Sequence, residues 1–313
     1  MSELIRAEQN QIDLNRPGWK RAFLVPYVRY RLSKTKLRVP LVNFRHRNFR
    51  QSDVFCGSYP RSGSTWARFT LYEILTGKEA TFDAVNWGLP DVGGQASALS
   101  LLPREGRLIH THERYRREYH KAIYIVRDPR DVVISEHAYL RGLDFFRGTL
   151  DRFISDFVRG KVNGFGAWQN HVTSWLDSPL ARNGDLLLVH YRDLRQKPEA
   201  GFARILEFLG VEVDPAVIRL AVANNSLDKM RGKEDRSPRV AVRLPKPKNR
   251  VVRTGLVEGW RAELSSGQVD FIEQYAADAL MRLGYPFAHA SCNQEPNWTV
   301  PPAAGFAQLS GRE

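Results

Sequence analysis

Residues 57–66, Gly-Ser-Tyr-Pro-Arg-Ser-Gly-Ser-Thr-Trp, join a strand-like apolar run (Asp53-Val54-Phe55-Cys56) to a helical pattern (Trp66, Phe69, Tyr72, Ile74, Leu75) that Gly77 closes as a C-cap. A strand, a turn rich in Gly, Ser and Thr, and a helix N-terminus together make an anion cradle. The first N–H groups of a helix lack partners, and its dipole favours negative charge there. Arg61 adds a fixed cation, and Ser62, Ser64 and Thr65 add hydroxyl donors around Gly63. The segment therefore reads as a phosphate site; the bland alternative is an ordinary polar strand-to-helix turn.

A nucleotide triphosphatase is the obvious owner of such a loop, and the spacing excludes it. That signature needs Gly, four residues, then Gly-Lys-Ser/Thr. Here five residues separate Gly57 from Gly63, and Ser64 stands where the lysine belongs. No second carboxylate motif is present to hold magnesium.

A second segment points to another phosphate. Ala122–Val126 is a continuous apolar run, as in a buried parallel strand, and it ends in Arg127. Pro129 sits at the start of the expected next helix, where its missing N–H costs nothing. Ser135 falls about two turns into that helix. An arginine at a strand end and a hydroxyl on the following helix can grip one phosphate together. Otherwise Arg127-Asp128 is a surface ion pair and Ser135 a small packing residue.

With these residues in view, the chain resembles the PAPS-dependent sulfotransferases of the cytosolic type, PAPS being 3′-phosphoadenosine-5′-phosphosulfate. Their Tyr-Pro-Lys-Ser-Gly-Thr-Thr-Trp loop is similar to Tyr59–Trp66, and their Arg with a Ser eight residues later is similar to Arg127 and Ser135. Their Arg-Lys-Gly and Gly-x-Trp-Lys elements look like Arg253-Thr254-Gly255 and Gly259-Trp260-Arg261. Their Lys-Thr-His turn looks like His110-Thr111-His112, and their Tyr-Glu-Asp-Leu like Tyr191–Leu194. Gly166–Trp175 also resembles a family helix.

The resemblance implies a PAPS co-substrate with PAP as product, no required metal, and a hydroxyl acceptor that is a small molecule, a glycan or a lipid. It implies His112 as general base and Arg61 at the transferring sulfate, with Ser62, Gly63, Ser64, Thr65 and Trp66 completing the loop. Arg127 and Ser135 would hold the 3′-phosphate, with Arg253, Thr254 and Gly255 beside them. Tyr191, Ser226, Leu227 and Met230 would lie near the adenine. The chain departs from the pattern at Arg61, where the family carries lysine, at Thr254, which removes a phosphate contact, and at Leu227, where a stacking aromatic is expected.

The chemistry supports the same assignments. Sulfuryl transfer resembles phosphoryl transfer in having a loose, in-line transition state, so positioning and electrostatics dominate. An arginine cannot act as a proton donor, so Arg61 would act through its charge. An alcohol needs a base near neutral pH, which favours histidine. His110 and His112 share one face of the run 108–112 by period-two alternation. The other readings of this pair are a polar strand end or the start of a zinc site, for which no third ligand is spaced correctly. His137 is the rival base.

Strand signals at 53–57, 107–111, 122–126 and 186–190 alternate with helical stretches at 65–76, 131–142, 151–175, 198–209 and 267–283. The pattern predicts an α/β domain: a central parallel sheet with helices on both faces and a P-loop-like phosphosulfate loop. At 313 residues one core is the simplest arrangement. The expected division is a basic aromatic extension over 1–52, a sulfotransferase domain over 53–287 and a poorly ordered tail over 288–313. Residues 16–50 hold eleven Lys/Arg and no Asp or Glu, interleaved with aromatics. This suits an anionic membrane surface, or simply solubility beside a polyanionic donor; nucleic acid is not expected. Residues 231–253 hold nine Lys/Arg around Pro238, Pro245 and Pro247 and are expected to form a lid over the donor. Two cysteines give no disulfide framework, and the absence of a signal peptide or a long apolar run predicts a cytoplasmic protein with peripheral membrane contact as an option. The acceptor pocket is expected from loops 82–104, 139–150 and 236–250, with Trp87, Phe145 and Phe146 as candidate lining. Two other classes stay open: a nucleotide-dependent phosphotransferase, and a basic membrane- or nucleic-acid-binding protein on an inactive scaffold.

Overall fold

The computed structural model describes residues 30–236 and 252–288; residues 16–29 of the basic segment, most of the expected lid and nearly all of the expected tail lie outside them. A five-stranded sheet runs β2-β3-β1-β4-β5. Strands β1 (Val54–Ser58), β3 (Gly106–Thr111), β4 (Ala122–Val126) and β5 (Leu186–His190) are parallel, and the short β2 (Ser100–Leu102) pairs antiparallel with β3. The four parallel strands match the apolar runs, and β1, β3 and β4 are buried along their whole length, as strands covered on both faces must be. One core layer gathers Phe55, Ile109, Tyr124 and Val126 with Trp168, Trp175 and Ile272; the other gathers Cys56, Leu108, Ile123 and Ile125 with Phe69 and Phe202.

The order of strands decides where chemistry can sit. Strand β1 is central, with β3 on one side and β4 on the other, so the chain diverges at its carboxyl end. Registers Gly57↔Thr111 and Ser58↔Ile125 bring the ends of three strands level. The phosphate loop, His112, Arg127 and Tyr191 each follow directly on a parallel strand.

The helices are α1 (Arg38–Arg45), α2 (Ser64–Thr76), α3 (Phe82–Gly88), α4 (Pro129–Gly142), α5 (Leu150–Val158), α6 (Trp168–Leu176), α7 (Pro179–Asn183), α8 (Tyr191–Gln196), α9 (Pro198–Leu209), α10 (Pro215–Asn224), α11 (Leu227–Arg236), α12 (Trp260–Glu263) and α13 (Ser266–Arg282). Gly77 ends α2 in the left-handed region, and Asp128 caps α4 with Pro129 in its first turn, as the sequence predicts. The single helix expected over 151–175 is instead two. Gly160 takes φ 72°, and a Cβ there would stand 2.5 Å from the Ala167 nitrogen, so the chain must leave the helix to fold back on itself. Part of the expected acceptor loop 82–104 is helix α3, which Thr81 caps by accepting the Ala84 N–H.

Residues 30–50 pack on the edge of the core. Tyr30 donates to the Val162 carbonyl at 2.7 Å and stacks on Phe145 at 4.9 Å, while Phe49 meets Phe55 edge-on. Among the described residues no helix is long and apolar enough to cross a membrane.

Candidate active site

The loop after β1 turns sharply. Arg61 takes φ 69° and Gly63 φ 96°, and Gly63 begins α2 without a side-chain cap, so the first amides of α2 stay available to an anion. A Cβ on Gly63 would fall 2.5 Å from the Tyr191 ring, so glycine is needed both for its φ and for this close approach. Ser62 Oγ is buried and has no hydrogen-bond partner among the described residues, as a hydroxyl waiting for a ligand oxygen would be.

Arg127, at the end of β4, ties three segments together. It donates to the carbonyl of Arg61 at 3.1 Å and to that of Leu256 at 2.9 Å, and its guanidinium lies 4.6 Å over the Tyr191 ring. Tyr191 in turn donates to the carbonyl of Gly255 at 3.2 Å. Asp131, one turn into α4, accepts the Glu258 and Trp260 N–H groups at 3.0 Å each and so fixes the segment after Gly255. Arg61 reaches across to α4: its Nε donates to Ser135 Oγ at 3.1 Å, and its guanidinium lies 4.6 Å over Tyr139.

Strand β3 delivers the two histidines. Their rings meet edge-on with centroids 4.4 Å apart. His112 Nδ1 lies 2.8 Å from the Ser58 carbonyl, which can only accept, so Nδ1 carries the proton and Nε2 keeps its lone pair. Burial, then the neighbouring His110 charge, pull the His112 pKa down to about 3, so the ring is neutral. His110 Nδ1 sits 2.7 Å from Asp91 Oδ1, and Arg68 of α2 reaches the same oxygen at 3.3 Å. The Asp91 side chain is largely exposed, and the His110 hydrogen bond and the Arg68 charge hold its carboxyl below the usual range.

A cavity of about 700 Å³ joins these groups. Arg61, Gly63, Ser64, Thr65 and Trp66 line it together with His112, Arg127, Ser135 and Tyr191, and so do Leu227, Met230, Arg253, Thr254 and Gly255. Four arginines (Arg61, Arg127, Arg195 and Arg253), the uncapped helix and the orphaned Ser62 hydroxyl suit a ligand with phosphate at two ends. Among the described residues no three His, Cys, Asp or Glu side chains gather as a metal site.

A sulfotransferase domain model matches residues 51–284. The chain belongs to the sulfotransferase family. Among its relatives, Sulfotransferase 1A1 of Mus musculus is 28% identical over 198 residues, covering 57% of this chain and 67% of that protein. Sulfotransferase 2A1 of Homo sapiens is 25% identical over 242 residues, covering 71% and 81%. The fold is shared with mouse sulfotransferase SULT7A1, solved in complex with PAP, at a TM-score of 0.59 and 22% identity over 75% of this chain and 86% of that one.

Some expected residues of this sulfotransferase stand elsewhere. Ser226 is exposed outside the cavity lining, where Asn225 takes its place, whereas Leu227, at the start of helix α11, lines the cavity. Ser62 is fully buried and does not line the cavity. His137 does not line the cavity; its ring packs on Phe153 at 5.0 Å, which removes it as the rival base. Of the three candidate pocket aromatics only Phe145 lines the cavity; Phe146 packs on Phe153, and Trp87 is exposed away from it. Asp91, Arg68, Glu136, Asn163 and Arg195 line the cavity without having been marked by any motif. Only Arg195 had a sequence signal, lying one residue past the Tyr191–Leu194 element.

Proposed function

We propose that His112 is the general base and Arg61 the leaving-group cation of a PAPS-dependent sulfuryl transfer to a hydroxyl acceptor. The single observation that carries this reading is the hydrogen bond from His112 Nδ1 to the Ser58 carbonyl, which leaves the Nε2 lone pair open on a neutral ring that lines one cavity with the anion-binding loop. PAPS supplies an activated SO₃ group on a good leaving group. His112 Nε2 takes the acceptor's proton as the new O–S bond forms, and the S–O bond to the bridging oxygen breaks. Arg61 and the α2 amides stabilise the negative charge that collects there. Ser64 and Thr65 add hydroxyl contacts to the 5′ end. Arg127 and Ser135 hold the 3′-phosphate, with Arg253 and Gly255 at its edge, while Trp66, Tyr191, Leu227 and Met230 enclose the adenine.

Calorimetry tests the donor half. Binding of 3′,5′-adenosine bisphosphate should be tight, independent of magnesium and lost with AMP; equal affinity for the two would overturn it.

The acceptor reaches this site past residues 30–45. Tyr30 and Ser33 line the cavity, while Leu37, Val39, Leu41 and Phe44 are exposed on the outer side among Lys34, Lys36, Arg38 and Arg47. Exposed apolar side chains set in a purely basic stretch are the chemistry of an anionic membrane surface. This favours an acceptor alcohol carried by a lipid.

A further inference from the structure

We propose that Glu136 is a specificity-determining residue of the acceptor pocket. Its carboxyl group binds a second hydroxyl of the acceptor, which selects a polyol such as a sugar headgroup over a simple alcohol. The inference rests on the reading of this cavity as the place where an alcohol is sulfated.

Helix α4 and its C-cap line the cavity with Glu136, Tyr139, Leu140 and Leu143, which share one helix face by their spacing. Glu136 follows Ser135, the residue that takes the Arg61 hydrogen bond. Phe165, whose ring centroid lies 5.6 Å from that of His112, brings the base to the same cavity. Glu136 is 3% exposed, so its carboxyl group is removed from bulk water. Its Oε1 accepts from Asn163 Nδ2 at 3.4 Å, a long hydrogen bond. Asn163 is committed elsewhere as well: Nδ2 also donates to the Tyr59 hydroxyl at 3.1 Å, and Oδ1 accepts the Phe165 N–H at 2.9 Å. Glu136 Oε2 is buried and has no hydrogen-bond partner among the described residues.

A buried carboxyl oxygen without a donor is costly, and a ligand that brings a donor removes that cost. The surrounding charges decide what kind of donor fits. Two cations act on Glu136: Arg61 of the loop, and Lys34, whose ammonium lies 4.3 Å over the Tyr30 ring. An ammonium on the acceptor would add a third positive charge beside them, whereas a hydroxyl adds none. Burial also raises the Glu136 pKa, opposed by the Arg61 charge, the Asn163 hydrogen bond and the Lys34 charge. A hydroxyl both donates and accepts, so it fits this carboxyl in either protonation state; an ammonium fits only the carboxylate. One acceptor hydroxyl meets His112 and another meets Glu136, so the acceptor is held at two points while the aromatic and leucine side chains of the wall cover its carbons.

The experiment is an NMR titration of the full chain, saturated with 3′,5′-adenosine bisphosphate, with three probes: hexan-1-ol, hexyl β-D-glucopyranoside and 6-aminohexan-1-ol. The glucoside should bind at least about tenfold more tightly than hexan-1-ol, the gain expected from one hydrogen bond to a buried carboxyl group. The amino alcohol should bind no more tightly than hexan-1-ol. Glu136→Leu should cut the glucoside's advantage by at least about tenfold. Should Glu136→Leu fail to fold, Glu136→Gln keeps the shape without the charge and should cut the advantage by at least about threefold. A wild type with no preference for the glucoside overturns the proposal. So does a preference that survives unchanged in a folded Glu136 variant, or an amino alcohol that binds more tightly than the glucoside. These affinities are read without any transfer taking place, so turnover retained in His112→Ala would remove the base and leave their order to report on Glu136.

Discussion

The imidazole of His171, buried on α6, donates from Nε2 to the backbone carbonyl of His112 at 2.9 Å and accepts from the Tyr124 hydroxyl at 2.8 Å. Both ring nitrogens are satisfied in the neutral form. Burial holds the His171 pKa down to about 3, against 6.5 in an unfolded chain. The unfolded state therefore binds more protons between these values. The stability contributed by neutral His171 is complete above about pH 6.5 and is lost as pH falls toward 3, by ~1.4 kcal/mol per pH unit. Urea unfolding at pH 7, 6 and 5 should show a flatter pH dependence in His171→Gln, which keeps an N–H for the His112 carbonyl. Parallel dependences in the two proteins would contradict this.

Arg61 carries its charge permanently and is held on Ser135 and Tyr139. Arg61→Ala should lower kcat at saturating donor by ~10²–10³-fold, the usual loss for one donor to a developing anion. Arg61→Lys restores the charge without the fork and should recover at least about tenfold of that loss. Equal rates in the two variants would mean that charge at this position is not what accelerates transfer.

Gly63 is constrained twice, by φ 96° and by the Tyr191 ring. Gly63→Ala should cost on the order of 1–3 kcal/mol through backbone strain alone, and displacing Tyr191 should loosen its contacts with Arg127 and Gly255. Bisphosphate affinity measured by calorimetry should therefore fall by at least about tenfold, with the far-ultraviolet circular dichroism unchanged. Unchanged affinity would show that the loop can rearrange freely.

The exposed apolar and basic side chains of α1 and the residues before it should bring the protein down with vesicles containing anionic phosphatidylserine, and not with phosphatidylcholine alone. Val39→Ser combined with Phe44→Ser should abolish this sedimentation and leave transfer to a water-soluble acceptor untouched. Wild-type protein that stays in solution with both vesicle types would remove the membrane from the account.

The parallel sheet and the turn of the loop after β1 were legible because each depends on local chemistry. A doubly buried strand has to be continuously apolar, as Ala122–Val126 is, and a phosphate loop needs glycine and hydroxyls where the backbone turns, as at Gly63. The break at Gly160 was marked by a glycine but hidden by an apolar pattern on both sides of it. Asp91 left no signal at all. Its place at the cavity comes from a backbone pairing with His110 nineteen positions away, and no spacing rule reaches across such a connection. Ser226 shows the same limit: an element can be placed correctly while the side chain that lines the cavity, here Asn225, is its neighbour.

The most direct test of the account is His112→Ala assayed in two ways on one preparation. Calorimetry with 3′,5′-adenosine bisphosphate should return the wild-type affinity, since His112 lies outside the donor-holding set. Transfer of labelled sulfate from PAPS to a hydroxyl acceptor should fall to background. Turnover that survives the substitution, with bisphosphate binding intact, would contradict the assignment of His112 as the base.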